Sequence, residues 1–443
     1  MIFGTPIRPD IVVHPDRVLR HDLDRFFGID LNYIRDADAN RPSARPLADA
    51  LKDMGVRWLR FPGGEKSNFH LWSSPPYKKA EPISLGWYAT VQGKRMDFDA
   101  YIQLARSVGC EPFVVVGFDA EKQAGRTSEQ WLENAVSWVR YSQVTKKYGV
   151  RYWEIGNENW NHKLDPLAVA ETVKRFSRAM KAIDPTIQVG ASGDNDGWWS
   201  TFLPSAAPYI DFLSVSLYTG WEWGSYARFL TKPDLIETAR TASQAIDRYA
   251  PPAERSRLRV VVAETNAKDY SEGGWPDQND IGHALVTFAT LGHLAEAPRV
   301  ASAMVWTTRW MDDDKASSSP FYALGPRNDL HPTGRALALW GQFAEPVMLA
   351  TTDDDVYASR SKDGKRMTVW LANRELVSRD VNVRIDGTTS YMSAAVHVFW
   401  GKSDGDLNPH WDSKPDTHLH ENRWSGTLPP LSVTVLTLAS TGR

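Results

Sequence analysis

The stretch Tyr152-Trp153-Glu154-Ile155-Gly156-Asn157-Glu158-Asn159-Trp160 decides how this sequence is interpreted. Its apolar beginning predicts a short β-strand, and Gly156 ends that strand before a turn that carries an amide, a carboxylate and an indole. A buried strand that ends in clustered polar groups is how an α/β enzyme presents chemistry at the carboxyl end of a strand. The segment Arg259–Asn266 ends in the same way, so we interpret Glu158 and Glu264 as a working pair of carboxylates.

The same alternation of strand and helix runs through the chain up to residue 344. Eight short apolar runs, rich in β-branched and aromatic residues, are typical of parallel strands that are buried on both faces. Besides the opening stretch, the predicted strands are Arg25–Leu31, Arg57–Phe61, Phe113–Gly117, Ile187–Ala191, Phe212–Tyr218, Val260–Glu264 and Ala303–Thr307. The predicted helices include Arg45–Met54, Phe98–Val108, Ser128–Tyr148, Asp165–Ile183, Pro233–Tyr249, Ile281–Ala295 and Pro332–Phe343.

Eight strand–helix units indicate an α/β fold, a closed (β/α)8 TIM barrel over residues 21–344. The alternative is an open doubly wound sheet, which should have a glycine-rich phosphate turn after its first strand. The sequence has no such turn, so the closed barrel is favoured.

The pattern changes at Glu345, where helical spacing gives way to alternating strands. These are Val356–Ser359, Met367–Ala372, Val381–Ile385, Ala395–Phe399 and Ser432–Leu438. Turn residues separate them, which predicts a C-terminal antiparallel β-sandwich over residues 345–443. We expect residues 9–20 to join this domain through the short run Ile11-Val12-Val13.

Composition excludes several classes of partner. The net charge is −3, from 51 basic and 54 acidic side chains, which argues against a nucleic-acid or anionic-membrane partner. The one cysteine, Cys110, excludes an internal disulfide and a thiolate metal cluster. No apolar run reaches the ~18 residues of a membrane span. The first residues lack the features of a signal peptide, so we expect a cytoplasmic protein, or a secreted or periplasmic one whose signal peptide has been removed.

Two carboxylates at the mouth of a barrel fit the cleavage of a glycosidic bond. One protonated carboxyl gives a proton to the leaving oxygen, and a second, ionised carboxylate attacks the anomeric carbon. A structural ion pair would explain a single glutamate at a strand end. Glu264, however, follows the apolar run Val260–Ala263, where burying a carboxylate without a function would cost several kcal/mol.

Two motifs resemble a known group of enzymes. Trp153-Glu154-Ile155-Gly156-Asn157-Glu158 resembles the Asn-Glu motif of strand four in the clan A retaining glycoside hydrolases. Within that clan, the chain is most similar to the group that holds α-L-arabinofuranosidases, β-xylosidases, β-agarases and heparanase-like β-glucuronidases. Leu59-Arg60-Phe61-Pro62-Gly63-Gly64 is similar to the strand-two segment of the arabinofuranosidases. The resemblance covers most of the chain.

The resemblance implies roles for individual residues. Glu158 would be the acid/base and Glu264 the nucleophile of a retaining mechanism, with Asn157 binding the hydroxyl next to the anomeric centre. Arg60 would donate a hydrogen bond to the nucleophile and keep it ionised. The remaining implied contacts are Tyr218 near the nucleophile and Trp306 as the platform beneath the reacting sugar.

The sequence departs from the group at the reacting-sugar subsite. Ser216 stands where the clan often has histidine, Glu65 where the arabinofuranosidases usually have asparagine, and Thr265 where they usually have tryptophan. These departures leave the identity of the sugar open but not the class of reaction.

Other candidates carry weaker signals. Glu65, His70 and Trp72 either line the subsite or lie in a solvated loop. The tryptophans of the predicted loops are divided between packing and stacking on sugar rings: Trp160, Trp198, Trp199, Trp221, Trp223, Trp275 and Trp310. Two aspartate runs, Asp312-Asp313-Asp314 and Asp353-Asp354-Asp355, lack the spacing of a calcium loop, and we predict neither a metal site nor a cofactor.

We therefore expect a glycosidase that acts on an oligo- or polysaccharide of the plant or algal cell-wall type. An exo-acting α-L-arabinofuranosidase or a β-glycuronidase are alternatives within this class. A non-catalytic carbohydrate-binding barrel is an alternative from another class, and a metal-dependent barrel hydrolase would need ligands that the strands lack. A retaining mechanism requires the carboxyls of Glu158 and Glu264 to lie roughly 5–5.5 Å apart. Arg60 should reach Glu264 within hydrogen-bond distance.

Overall fold

The computed structural model describes residues 10–118, 125–311 and 319–440. Eight parallel strands form a closed barrel in which strand 8 pairs with strand 1. Barrel strands 1 to 8 are Phe27–Asp30, Trp58–Phe61, Glu111–Val116, Tyr152–Ile155, Gln188–Ser192, Phe212–Tyr218, Arg259–Asn266 and Val300–Val305. The short strands His70–Leu71 and Ile83–Ser84 pair in the loop after strand 2. The fold predicted from the sequence is confirmed.

Helices surround the barrel in the order that the sequence predicts. They are Leu47–Met54, Phe98–Val108, Ser128–Arg140, Pro166–Lys181, Asp196–Ala206, Ala227–Leu230, Glu237–Tyr249, Ile281–Glu296 and Pro332–Gly341. A capping box precedes the helix Ser128–Arg140. The Thr127 side chain accepts from the backbone N–H of Gln130, and the Gln130 side chain accepts from the backbone N–H of Thr127. This helix ends at Arg140 in a π turn over Tyr141–Thr145, so the predicted end at Tyr148 is wrong.

Large apolar side chains fill the inside of the barrel below its carboxyl ends. Trp58, Phe113, Phe212 and Met304 belong to one buried cluster contributed by strands 2, 3, 6 and 8. Side chains two residues apart on a strand share a face, so Arg60 lies one layer above Trp58 on the same face of strand 2. The apolar layer thus closes the barrel beneath the polar residues at its mouth.

The C-terminal part is one continuous sheet of nine strands. In chain order they are Ile11–Arg20, Val347–Thr351, Val356–Arg360, Arg366–Asn373, Arg379–Ile385, Tyr391–Trp400, His410–His418, Arg423–Leu428 and Ser432–Ser440. Ile11–Arg20 pairs antiparallel with Val347–Thr351 and parallel with Arg379–Ile385. Side chains from both ends of the sheet share one buried cluster, so the sheet folds over its own core. The strand His410–His418 is mostly polar and exposed, and the sequence did not predict it.

The sheet packs firmly on the barrel. Trp370 donates from Nε1 to the carbonyl of Leu339 at 2.7 Å and its ring lies 4.7 Å from that of Trp340. Buried Arg374, which forms an ion pair with Asp355 in the sheet part, donates from Nη1 to the carbonyl of Phe229 in the barrel part at 3.1 Å. The division of the chain into domains at residues 344 and 345 stays a prediction. Among the described residues, no helix combines the length and the apolar character needed to cross a membrane.

Candidate active site

Arg60, on barrel strand 2, lies at the centre of the carboxyl-terminal mouth of the barrel. Its guanidinium donates to Oδ1 of Asp30 at 2.8 Å and to Oε1 of Glu264 at 2.8 Å. It also donates to Oε2 of Glu154 at 3.0 Å and to Oδ1 of Asn157 at 2.7 Å. Because Arg60 is only 1% exposed, one buried cation connects strands 1, 4 and 7 to strand 2.

Asp30 and Glu154 belong to this site, although the sequence analysis did not select them. Asp30 is the register partner of Arg60 across strands 1 and 2. Burial raises the pKa of both carboxyls, that of Asp30 well above its usual value, while the charge of Arg60 lowers them. A single acidic residue within an apolar strand was the available signal, because a buried carboxylate needs a partner.

Glu264 is held by two donors. The hydroxyl of Tyr218 donates to its Oε2 at 2.6 Å, and Arg60 donates to its Oε1. The predicted contact between Arg60 and Glu264 is confirmed, and so is the position of Tyr218 beside that carboxylate. Both donors fix the orientation of the Glu264 carboxyl, which is buried at 3% exposure.

A register shift brings Glu264 to the mouth of the barrel. Strand 7 pairs with strand 6 through Val262 opposite Val215 and then through Glu264 opposite Ser216, so Ala263 is an extra residue on strand 7. A bulge of this kind bends the strand and re-aims the side chain that follows it. Glu264 consequently reaches Arg60 and Tyr218 although strict alternation from buried Ala263 would point it away.

Glu158 follows strand 4 in a tight turn. Its φ is +45°, and that of Gly156 is +72°, so two residues near the strand end have left-handed backbone. The side chain of Asn159 donates to the carbonyl of Ile155 at 3.0 Å and holds this turn closed. Burial and the charge of Glu264 raise the pKa of Glu158 to about 7, against hydrogen bonds from Ser216 and Asn161 that lower it.

The two polar atoms of the Asn157 side chain differ in their bonding. Its Oδ1 accepts from Arg60, whereas its buried Nδ2 has no hydrogen-bond partner among the described residues. Asn68 fixes the backbone of this residue from both sides: its Oδ1 accepts from the Asn157 N–H at 3.2 Å, and its Nδ2 donates to the Asn157 carbonyl at 3.2 Å. A fixed, unsatisfied amide donor is suited to a ligand hydroxyl.

Lys66 is a second buried cation beside this centre. It is fully buried, and within the part of the chain that the structure describes its Nζ has no hydrogen-bond partner. The ammonium lies 4.7 Å from the ring centre of Trp306 and 4.4 Å from that of Trp310. Burial lowers its pKa to about 8, although the charges of Glu264 and other nearby carboxylates raise it. No sequence pattern predicted a role for Lys66.

The other residues that were predicted to contact the substrate differ in how deeply their side chains are buried. Glu65 is exposed, Trp306 is buried, and Trp160 and Trp310 are half-buried. Trp72 is fully buried, donates from Nε1 to Ser137 at 3.0 Å and packs against the helix Ser128–Arg140. The prediction that Trp72 contacts a substrate is therefore wrong, because packing covers its ring.

The remaining loop tryptophans also pack more than expected. Trp198, Trp199 and Trp275 are buried and Trp223 is half-buried, whereas Trp221 is 54% exposed. Among the described residues, no three His, Cys, Asp or Glu side chains are placed to hold a metal ion. Asp353 and Asp355 pair with arginines, and Asp312-Asp313-Asp314 lies outside the described residues.

Comparisons with known proteins identify similar sequences over about half of the chain. Residues 50–211 match the family model described as Alpha-L-arabinofuranosidase 1 domain. The probable alpha-L-arabinofuranosidase C of Aspergillus niger is 25% identical over 266 residues, which are 51% of this chain and 50% of that protein. The intracellular exo-alpha-(1->5)-L-arabinofuranosidase of Acetivibrio thermocellus is 24% identical over 241 residues, which are 49% of this chain and 47% of that protein. The chain thus spans about half the length of these curated relatives.

Solved structures are similar over nearly the whole chain. An alpha-L-arabinofuranosidase from Thermotoga maritima, in complex with arabinose, has a TM-score of 0.77 at 20% identity and covers 97% of this chain and 99% of its own. A beta-xylosidase from Caulobacter crescentus has a TM-score of 0.68 at 15% identity and covers 98% of this chain and 100% of its own. These structures share the fold. The family model and the curated relatives, rather than these structures, confirm the resemblance to the group of arabinofuranosidases that the motifs on strands 2 and 4 indicated.

The buried ammonium of Lys66, which contacts two indole rings and no carboxylate within ion-pair distance among the described residues, leads to a prediction about stability. Lys66→Met should raise the free energy of unfolding at pH 7 by about 1–3 kcal/mol, because methionine fills a similar volume and carries no desolvated charge. Urea unfolding at pH 7 measures the change. Lys52→Met, at an exposed position of the helix Leu47–Met54, is the matched control and should have little effect.

The pH dependence of this difference has a definite sign. The pKa of Lys66 is about 8 in the folded protein and 10.5 in the unfolded chain, so between these values the unfolded chain binds more protons. The cost of the ammonium is therefore complete below pH 8 and disappears as the pH rises through this window. The advantage of Lys66→Met should shrink between pH 7 and pH 10, and a variant that is less stable than the parent at pH 7 would contradict this account.

Proposed function

We propose that this protein is a retaining O-glycoside hydrolase that acts on an oligo- or polysaccharide by double displacement. The observation that carries the proposal is the different environment of its two glutamates at the barrel mouth. Arg60 and Tyr218 bond the carboxylate of Glu264, whereas burial and the charge of Glu264 raise the pKa of Glu158 to about 7. Two neighbouring carboxyls with opposite protonation states are what this reaction requires.

In the first step, Glu264 attacks the anomeric carbon while the bond from that carbon to the leaving oxygen breaks. A carboxylate oxygen of Glu264 forms an ester bond to the sugar, and the proton of Glu158 goes to the leaving oxygen. Tyr218 and Arg60 orient the nucleophile. The free Nδ2 of Asn157 is placed to donate to the hydroxyl next to the anomeric carbon.

In the second step, Glu158 works in the reverse direction. It takes a proton from water, the water oxygen attacks the anomeric carbon, and the ester bond to Glu264 breaks. Two inversions give net retention of configuration. The carboxyl separation of roughly 5–5.5 Å that this mechanism needs is part of the proposal.

The names of the relatives favour an α-L-arabinofuranosyl group as the reacting sugar. Relatives from a fungus and a bacterium are both described as arabinofuranosidases, and so is the family model that matches residues 50–211. At this subsite, Ser216 and Thr265 differ from the residues that the group usually has. Lys66 adds a buried positive charge that the sequence did not predict. Assays should therefore compare aryl α-L-arabinofuranosides with aryl β-xylosides and β-glucuronides under the same conditions.

A non-catalytic carbohydrate-binding barrel is the competing function. It would keep the aromatic platform of Trp306 but would have no use for a carboxyl whose pKa is raised to about 7 beside a second carboxyl that Arg60 and Tyr218 hold in place. Hydrolysis of any aryl glycoside of this panel, lost in Glu264→Ala, eliminates the binding-only alternative.

The raised pKa of Glu158 predicts the shape of the pH–rate profile. The acid must be protonated in the free enzyme, so kcat/KM should fall as the pH rises through about 7. Ser216→Ala removes a hydrogen bond that favours the ionised carboxylate, and the alkaline limb should move to higher pH. Ser216→Thr keeps the hydroxyl and should leave the limb near its original position. A limb that moves to lower pH in Ser216→Ala would contradict the assignment of Glu158.

Chemical rescue separates the two glutamates. Glu264→Ala should lower kcat by on the order of 10⁴-fold or more and leave a space beneath the anomeric carbon. Azide in that space should attack directly and give a glycosyl azide of inverted configuration, which NMR identifies.

The matched control for this experiment is Glu158→Ala with an activated aryl glycoside. Glu264 still forms the ester there, so azide attacks from the opposite face and the product azide should have retained configuration. If both variants gave the same anomer, or if azide rescued neither, the two assigned roles would be wrong.

A further inference from the structure

An exposed pair of aromatic rings lies next to the candidate nucleophile. The ring of Tyr218, whose hydroxyl bonds Glu264, lies 5.1 Å from that of Tyr270, and Tyr270 lies 5.6 Å from Trp221. Tyr270 is 42% exposed and Trp221 is 54% exposed. A line of ring contacts therefore leads from Glu264 out to solvent. We call Trp221 and Tyr270 the aromatic pair.

The two rings come from different loops, which one carboxylate joins. Trp221 follows strand 6 and Tyr270 follows strand 7. Asp269 accepts from the backbone N–H groups of Glu222, Trp223 and Gly224 in the first loop, at 3.0, 3.0 and 3.2 Å. In its own loop it accepts from the N–H groups of Ser271 and Trp275, at 2.9 and 2.8 Å.

Five backbone bonds to one side chain fix both rings, because Trp221 precedes Glu222 and Tyr270 follows Asp269 directly. The loops are also anchored from below. Trp223 stacks on Trp275 at 6.1 Å with 13° between the planes, and Trp275 stacks on His283 at 3.6 Å. Trp221 is thus exposed on a loop that backbone hydrogen bonds and the half-buried Trp223 hold in place.

A fixed, exposed aromatic surface continuous with a site for sugar chemistry fits a sugar ring. An indole presents a flat apolar face, and ordering it before binding reduces the entropy lost when a ligand stacks on it. The position also indicates which part of the substrate it meets. The ring contacts lead outward from Glu264 to solvent, so the aromatic pair meets a sugar unit beyond the one that reacts, and for a terminal reacting sugar that unit is the leaving group. Burial and the charges of Glu264 and Glu158 raise the pKa of Tyr270.

We infer that Trp221 and Tyr270 form a subsite for the sugar unit on the leaving-group side of the bond that is cleaved. The occupant is a neutral pyranose or furanose ring of an oligosaccharide, stacked on the indole of Trp221. Asp269 is a positioning residue that acts through the aromatic pair. This inference rests on the proposed function, since it assigns one side of the bond that Glu158 and Glu264 cleave.

Two substrates with the same reacting sugar test the inference. A glycosyl fluoride has no sugar as leaving group, whereas an oligosaccharide needs the subsite. Trp221→Ala should lower the ratio of kcat/KM for the oligosaccharide to that for the fluoride by on the order of tenfold. Trp87→Ala is the matched control, because Trp87 is 60% exposed in the loop after strand 2 and should leave the ratio unchanged.

Transfer to an added acceptor gives a second measurement. A disaccharide that binds the subsite should accept the glycosyl group from the ester on Glu264, and Trp221→Ala should reduce the fraction of transfer product at a fixed acceptor concentration. An unchanged substrate ratio and unchanged transfer in Trp221→Ala would overturn the subsite while leaving the proposed function intact. Absence of hydrolysis of every glycosyl fluoride by the parent protein would overturn the proposed function itself.

The role of Asp269 is tested by a double-mutant cycle. Asp269→Asn replaces one accepting oxygen by a donor, which should disorder both loops and lower the same substrate ratio as Trp221→Ala does. Because the aspartate acts through the ring, the double variant should show little further loss in this ratio. Fully additive losses would show that Asp269 supports something other than the aromatic pair.

Discussion

The site depends on the single guanidinium of Arg60. It bonds three carboxylates, those of Asp30, Glu154 and Glu264, and also the amide of Asn157. A planar group with five donors in a fixed geometry can satisfy several acceptors at once, which an ammonium cannot do. Removing Arg60 would leave buried carboxylates without their cation and would release strands 1, 4 and 7 from one another at the mouth of the barrel.

The shared cation also explains why the carboxyls differ. Three acidic groups share one positive charge, which lowers the pKa of Asp30 and Glu154 less than their burial raises it. Glu264 gains Tyr218 as a second donor. Glu158 lies in the turn after strand 4, next to Asn157, which Arg60 bonds. Burial and the negative charge of Glu264 raise the pKa of Glu158 to about 7. One arrangement therefore supports a nucleophile and an acid within the same small space.

Periodicity made the fold predictable, because the apolar runs at strand spacing and the helical patterns repeat eight times. The strand-end glutamates were predictable for the same reason, since parallel strands end at one edge, whereas Arg60 and Tyr218 were predicted from the resemblance to the clan A group. Asp30 and Glu154 were not selected, because each is one acidic residue whose partner lies far away in sequence. The bulge at Ala263 directs the side chain of Glu264 into the site, and no local sequence pattern predicts this bulge.

Burial of the tryptophans was the least predictable property. Trp72 and Trp221 both follow barrel strands in polar loops, yet Trp72 is fully buried and Trp221 is 54% exposed. The difference depends on tertiary neighbours: the helix Ser128–Arg140 covers Trp72, whereas Asp269 fixes the loop that presents Trp221 to solvent. The edge strand His410–His418 was not predictable from apolar alternation, because it is polar over most of its length.

The central claim is that Glu264 forms a covalent bond with the sugar. An activated 2-deoxy-2-fluoro glycoside slows the hydrolysis of the ester more than its formation, so the intermediate accumulates. The probe should carry the sugar that the parent protein hydrolyses best. Mass spectrometry of the peptides from the inactivated protein should place the label on Glu264. A label on Glu154, Asp30 or any other residue, or inactivation without a covalent label, would contradict the account.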